Sequence, residues 1–148
     1  MTPENRVKCA VLGYGSWATA IVKTLTVNHH HVNWLVLNDD ILQSLEERSH
    51  NIKYLPWCYL DKEFISPSKD INEVVRDVDV VILAMPSAFL TKFLEPLTES
   101  LRDKIVVSAV KGIIPGDYLT IVEHVHRYYD VPMKNLVVVT GPSHAEEV

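Results

Sequence analysis

Two periods alternate along the chain. Short runs rich in apolar residues lie at 7–12, 32–37, 80–85, 105–110 and 136–140, with little polar alternation inside them. Runs of this length read as strands buried on both faces, as in a parallel sheet. Between them, apolar residues recur every three or four positions. Trp17, Ala18, Ile21, Val22 and Leu25 mark one face of a helix that starts at Ser16, which is placed to cap its first turn. Asp39 or Asp40 is placed to cap a second helix carrying Ile41, Leu42 and Leu45. Residues 71–75 predict a brief helix. Leu90, Phe93, Leu94 and Leu97 then follow at i, i+3, i+4 and i+7 in an amphipathic helix that Pro96 ends or kinks. After the turn at Ile113-Ile-Pro-Gly, a helix is expected from Asp117, with Tyr118, Ile121, Val122, Val125 and Tyr129 on one face. Residues 50–67 are irregular, with one short strand predicted around Phe64.

Strands alternating with helices place the chain in the α/β class. The expected architecture is a doubly wound, mostly parallel sheet with helices on both faces. No repeat, low-complexity tract or linker divides the 148 residues, a length usual for one domain. The last eight residues, Gly141-Pro-Ser-His-Ala-Glu-Glu-Val148, follow a strand, and Ser143 stands three positions before Glu146, the spacing of a capping box. A helix is therefore expected to begin there. Residues 1–148 are accordingly read as one domain of a longer protein, whose second domain lies outside this chain.

Composition narrows the function classes. Apolar residues make up 47% and charged residues 22%, the balance of an ordinary globular protein. Fourteen Lys and Arg against nineteen Asp and Glu give a net charge of −5, with no basic run to track a phosphate backbone, so nucleic acid is disfavoured as a partner. The longest uninterrupted apolar run, 80–85, is far short of the roughly 20 residues of a spanning helix, so no membrane partner is expected. Cys9 and Cys58 lack metal-type spacing and make no disulfide framework, which points to a reducing, cytoplasmic setting. His29-His30-His31 is the obvious metal candidate, but consecutive residues do not converge on one ion, and His124 and His126 face different sides of a helix. No metal is expected.

The chemistry concentrates in glycine-bearing turns after strands. Gly13-Tyr14-Gly15-Ser16-Trp17-Ala18 fits G-x-G-x-x-A, the dinucleotide fingerprint. Its small residues permit a tight turn, close backbone approach to a pyrophosphate, and helix-on-strand packing. The N–H groups and positive end of the following helix would hold the diphosphate without a basic side chain. Some 20 positions on, at the end of the second strand, stand Leu37, Asn38 and Asp39. Asp39 suits both ribose hydroxyls, which favours NAD over NADP, and it suits a helix cap equally well. Lys111-Gly112 follows another strand, where the lysine would meet a phosphate or alkoxide oxygen, or be an ordinary solvated side chain. Gly141, Ser143 and Ala145 also lie beyond a strand end and fit an anionic or hydroxylated ligand as well as they fit a cap. His144, next to Ser143, is a further candidate for ligand contact.

Five ordered segments, Gly13-Tyr-Gly-Ser-Trp-Ala-Thr-Ala20, Asn51-Ile-Lys-Tyr-Leu-Pro56, Ala84-Met-Pro-Ser87, Ala109-Val-Lys-Gly112 and Gly141-Pro-Ser-His-Ala-Glu-Glu147, together resemble the N-terminal domain of bacterial NAD(P)-dependent glycerol-3-phosphate dehydrogenases. The fingerprint alone would fit ketopantoate or 6-phosphogluconate dehydrogenases; the Lys-Gly and Gly-Pro-Ser-His-Ala-Glu-Glu segments separate them. The resemblance implies a Rossmann-type domain binding NAD or NADP. The reaction implied is interconversion of dihydroxyacetone phosphate and sn-glycerol 3-phosphate for phospholipid synthesis. By the same resemblance, Gly13, Gly15, Ser16, Trp17, Ala18, Leu37, Asn38, Lys111 and Ala145 would bind the cofactor, and Lys111, Gly141 and Ser143 the substrate. The family's catalytic lysine lies in a C-terminal helical domain, so the chain alone is expected to bind nucleotide and catalyse poorly or not at all, the full-length protein being a homodimer candidate. Val36-Leu37-Asn38 stands where many bacterial members carry Arg or His, a departure that bears on NADP preference. The competing expectation is a free-standing, non-catalytic nucleotide-binding module or redox sensor.

Overall fold

The structure is a computed structural model that describes residues 6–140. Among these, six strands, β1 (Cys9–Leu12), β2 (Val32–Leu35), β3 (Ile65–Ser68), β4 (Val80–Leu83), β5 (Ile105–Ser108) and β6 (Leu136–Val138), form one sheet in the order β3-β2-β1-β4-β5-β6. Every neighbouring pair is parallel. Leu12 is in register with Leu35 on one side and Leu83 on the other, so the carboxyl ends of β1, β2 and β4 finish level. This is the Rossmann strand order, which the resemblance implies, and the parallel pairing is the one the alternating pattern predicts.

Five helices connect the strands among the described residues: α1 (Ser16–Val27), α2 (Asp39–Arg48), α3 (Ile71–Val75), α4 (Leu90–Leu94) and α5 (Ile121–Tyr129). Successive strand residues point to opposite faces and enter two separate cores. Ala10, Leu12, Leu35, Val81, Leu83 and Val106 meet Val74, Leu90, Leu94, Ile121 and Val125 on one face. Val11, Trp34 and Val36 meet Ala18, Val22, Ile41, Leu45 and Leu60 on the other. All four residues of β1 are buried, which explains why its sequence shows no polar alternation. No helix among the described residues is long and apolar enough to cross a membrane.

The elements exist where the periodicity places them, and their ends differ. Ser16 does not cap α1; it is the first helical residue, and Gly15 occupies the cap position with no side-chain hydrogen bond. Neither Asp39 nor Asp40 caps α2, because the extended backbone at Asn38 lets its side chain accept from the Ile41 N–H at 3.1 Å. The two aspartates instead fill the first turn, where negative charge meets the positive end of the helix. The helix α5 starts at Ile121, four residues later than expected, because the Thr120 side chain and Glu123 form a reciprocal capping box there. Tyr118 consequently leaves the helical face; it has φ 55° and is 78% exposed. Phe64 closes a 3-10 turn that Asp61 caps, and the strand follows it at Ile65. Pro67 is tolerated in β3 because that strand is an edge of the sheet. As expected, α4 stops before Pro96. The helix expected from Ser143 lies outside the described residues.

Candidate functional site

The strand order reverses between β1 and β4: the chain winds outward from β1 to β3, then restarts beside β1. A crevice opens at the carboxyl ends of the strands at such a switch point, and ligands bind there. Gly13 leaves β1 straight into it, with φ 119°, and a Cβ at this position would run into the Ala84 carbonyl at the end of β4. Only glycine fits. Gly15 obeys a different constraint: its φ of −75° suits any residue, and a Cβ there would meet nothing within 4 Å. The fold itself does not require glycine at Gly15; the missing side chain leaves open space outside the turn.

That space adjoins the start of α1, whose first N–H groups lack a side-chain cap. Asn38, Asp70 and Thr120 supply such caps to α2, α3 and α5. Uncapped N–H groups and the positive end of the helix attract an anion. Ser16 and Trp17 are exposed in this first turn, while Ala18 is fully buried against Val11 and Trp34, the small residue that lets α1 approach the sheet closely. An open cradle at Gly15, free helix-end donors and a close-packed Ala18 together fit the diphosphate of a dinucleotide. The Trp17 side chain is 42% exposed and borders an apolar groove of about 240 Å³ with Ile21, Leu25, Ile82, Val107 and Val139.

At the end of β2, Leu37 is 39% exposed, and Asn38 spends its side-chain oxygen on the α2 cap. The Asp39 carboxylate meets Lys69 Nζ at 2.8 Å, both side chains being more than half exposed. Lys69 follows β3, and the pairing of β2 with β3 brings it to Asp39 across 30 positions of sequence. Inspection of the residues around Asp39 alone could not find it.

Lys111 lies beyond β5 and is exposed. A Cβ on the next residue, Gly112, would sit 3.5 Å from Ser87 Oγ, so the Lys111-Gly112 turn adjoins the turn that follows β4. The crevice thus gathers the ends of β1, β4 and β5. Gly141, Ser143, His144 and Ala145 lie outside the described residues; β6, the strand leading to them, pairs with β5. Sequence reasoning missed Thr19, Trp34 and Asn51, which hold the Gly13-Tyr14-Gly15 turn from behind. Trp34 reads as one more apolar strand residue, and Asn51 stands in a segment whose pattern assigns it no contact.

Comparison with known proteins bears on this crevice. The family described as NAD-dependent glycerol-3-phosphate dehydrogenase N-terminus matches residues 8–148. The chain belongs to this family. It is 34% identical over 141 residues to the glycerol-3-phosphate dehydrogenase [NAD(P)+] of Halalkalibacterium halodurans, a match covering 94% of this chain and 40% of that protein. The Bacillus subtilis protein of the same name is 37% identical over 144 residues, covering 95% of this chain and 41% of that protein. The solved Plasmodium falciparum glycerol-3-phosphate dehydrogenase superposes with a TM-score of 0.81 at 21% identity, over 97% of this chain and 43% of that one, a likeness of fold. The chain therefore spans about two fifths of the length of these relatives.

Proposed function

We propose that the chain is the cofactor-binding domain of a glycerol-3-phosphate dehydrogenase, which interconverts dihydroxyacetone phosphate and sn-glycerol 3-phosphate and so supplies the backbone of phospholipids. The observation that carries this reading is the fingerprint turn seated at the switch point, open at Gly15 and uncapped at α1, in a chain whose family match spans residues 8–148. Gly13, Gly15, Ser16, Trp17 and Ala18 hold the diphosphate through backbone N–H groups, with Leu37 and Asn38 beside the adenosine and Ala145 completing the nucleotide contacts. Lys111, with Gly141 and Ser143, holds the substrate. The chemistry supplied by bound nicotinamide is hydride transfer to or from the substrate carbon. An oriented cation such as Lys111 stabilises negative charge developing on the substrate oxygen, provided the two reactants are held near contact distance.

NAD is the cofactor favoured by Asp39, whose carboxylate suits the ribose hydroxyls. Lys69, 2.8 Å from that carboxylate, is the one feature here that favours a 2′-phosphate instead. By the resemblance, the family's catalytic lysine belongs to a C-terminal helical domain outside these 148 residues, which alone should bind nucleotide without appreciable turnover. The full-length protein is read as a cytoplasmic homodimer. Calorimetric titration with NADH and separately with NADPH, each with and without dihydroxyacetone phosphate, tests this. One-to-one saturable binding, tighter for NADH, is expected. Tighter NADPH would overturn the NAD preference and assign the corner to Lys69. No binding of either to the folded chain would overturn the cofactor reading.

A further inference from the structure

Three successive carbonyls of the fingerprint turn are each held from the protein side. Trp34 Nε1 donates to the Gly13 carbonyl at 2.7 Å. Asn51 Nδ2 donates to the Tyr14 carbonyl at 3.0 Å. Thr19 Oγ1 donates to the Gly15 carbonyl at 2.8 Å, alongside the first helical bond, Thr19 N–H to the same oxygen at 2.9 Å. In a trans peptide the carbonyl and the following N–H lie in one plane and point in opposite directions. Pinning these three carbonyls inward therefore turns the N–H groups of Tyr14, Gly15 and Ser16 outward, toward the space that Gly15 leaves open.

Asn51 is the keystone of this arrangement. It is fully buried and comes from a loop 37 positions away from Tyr14. Its amide nitrogen donates to both the Tyr14 carbonyl and Thr19 Oγ1, the latter at 2.9 Å. Its oxygen accepts from the N–H groups of Lys53 at 3.2 Å and Tyr54 at 3.1 Å. Both donors are used and both acceptor directions are filled, so rotating the amide would break all four bonds. Thr19, also fully buried, relays the constraint by accepting from Asn51 and donating to Gly15.

We infer that Asn51, acting with Thr19 and Trp34, is a positioning residue that preorganises the turn's N–H groups for a diphosphate. This inference rests on the dinucleotide reading above and deepens it by naming what orients the anion-binding backbone. A released carbonyl could swing outward, removing a donor and presenting its negative end to the phosphate. The contribution is therefore selective: it acts on the charged diphosphate and not on the nucleoside.

The experiment compares NADH and adenosine as ligands of the chain, by calorimetry and chemical-shift titration, for wild type, Asn51→Ala and Thr19→Val. Asn51→Ala should weaken NADH by about tenfold, the worth of one well-placed hydrogen bond, and leave adenosine within about twofold. Thr19→Val keeps the shape and the helix bond while deleting the hydroxyl that fixes the Asn51 amide, and should show a smaller loss, about threefold and confined to NADH, should Asn51→Ala fail to fold. A folded variant that loses NADH and adenosine equally, or loses neither, overturns the inference while the cofactor reading stands. Wild type that binds adenosine and NADH with equal affinity, or binds neither, overturns the cofactor reading itself.

Discussion

Gly13 and Gly15 stand two positions apart in one turn and answer to different physics. At Gly13 the backbone has φ 119°, a region that side chains rarely adopt, and any Cβ meets the Ala84 carbonyl. Backbone cannot yield as a flexible side chain can, because β1 and β4 are locked in register through Leu12 and Leu83. Gly13→Ala should therefore cost on the order of 3 kcal/mol or more in stability. At Gly15 neither the φ of −75° nor the surroundings resist a methyl group. Gly15→Ala should leave stability within about 1 kcal/mol of wild type while filling the space proposed above for the diphosphate. Urea unfolding and NADH titration of both variants check the pair. The outcome expected is an unstable Gly13→Ala and a stable Gly15→Ala that has lost its nucleotide; a Gly15→Ala chain that binds NADH normally would contradict this account of the turn.

At the scale of elements, α5 shows how a cap sets a boundary. The Thr120 hydroxyl and N–H both donate to the Glu123 carboxylate, at 2.7 and 2.8 Å, and these bonds hold the Glu123 pKa below its usual value. A lowered folded-state pKa means that the carboxylate's contribution is present above the unfolded value and is lost as pH falls through the folded one. Wild type should therefore lose stability as pH falls below about 4.5 by more than Glu123→Gln does. Thr120→Ala should lower the melting temperature by about 3 °C at neutral pH. Melting curves across that pH range check both; parallel curves for wild type and Glu123→Gln would remove the capping account. Five of the strands were legible in the sequence because a buried parallel strand needs an apolar run, and α1 and α2 because a helix needs a repeating face; the edge strand β3, Ile-Ser-Pro-Ser, has no such run. Helix starts were not, since Asp117 and Thr120 are both acceptable caps, and the reciprocal bonds of Thr120 with Glu123, beside the bridge from Thr120 to Ile113, fix the second. The glycines of the site were legible from their local pattern, whereas Trp34 and Lys69 reach it through the order of strands in the sheet and Asn51 through the loop after α2.

For the whole molecule, the two faces of the sheet are covered unequally. Beside β4, β5 and β6 one face buries Val81, Leu83 and Val106 under α4 and α5. On the opposite face α1 and α2 pack over the β1 and β2 half, with Val11, Trp34 and Val36 beneath them. Among the described residues the rest of that face has no helix over it: Ile105 is 44%, Val137 45% and Val139 50% exposed, continuous with the groove bordered by Trp17. Contiguous apolar surface of this kind binds hydrophobic dyes and promotes association. The folded chain should therefore enhance the fluorescence of an anilinonaphthalene dye. Replacing Val137 and Val139 together by Gln should reduce that signal and raise the solubility limit. Because both side chains are already half in water, the unfolding free energy from urea titration should change little, by about 1 kcal/mol or less. Dye binding that survives the double substitution unchanged would locate the exposed apolar surface elsewhere, and a large loss of stability would show that these valines are packed rather than open.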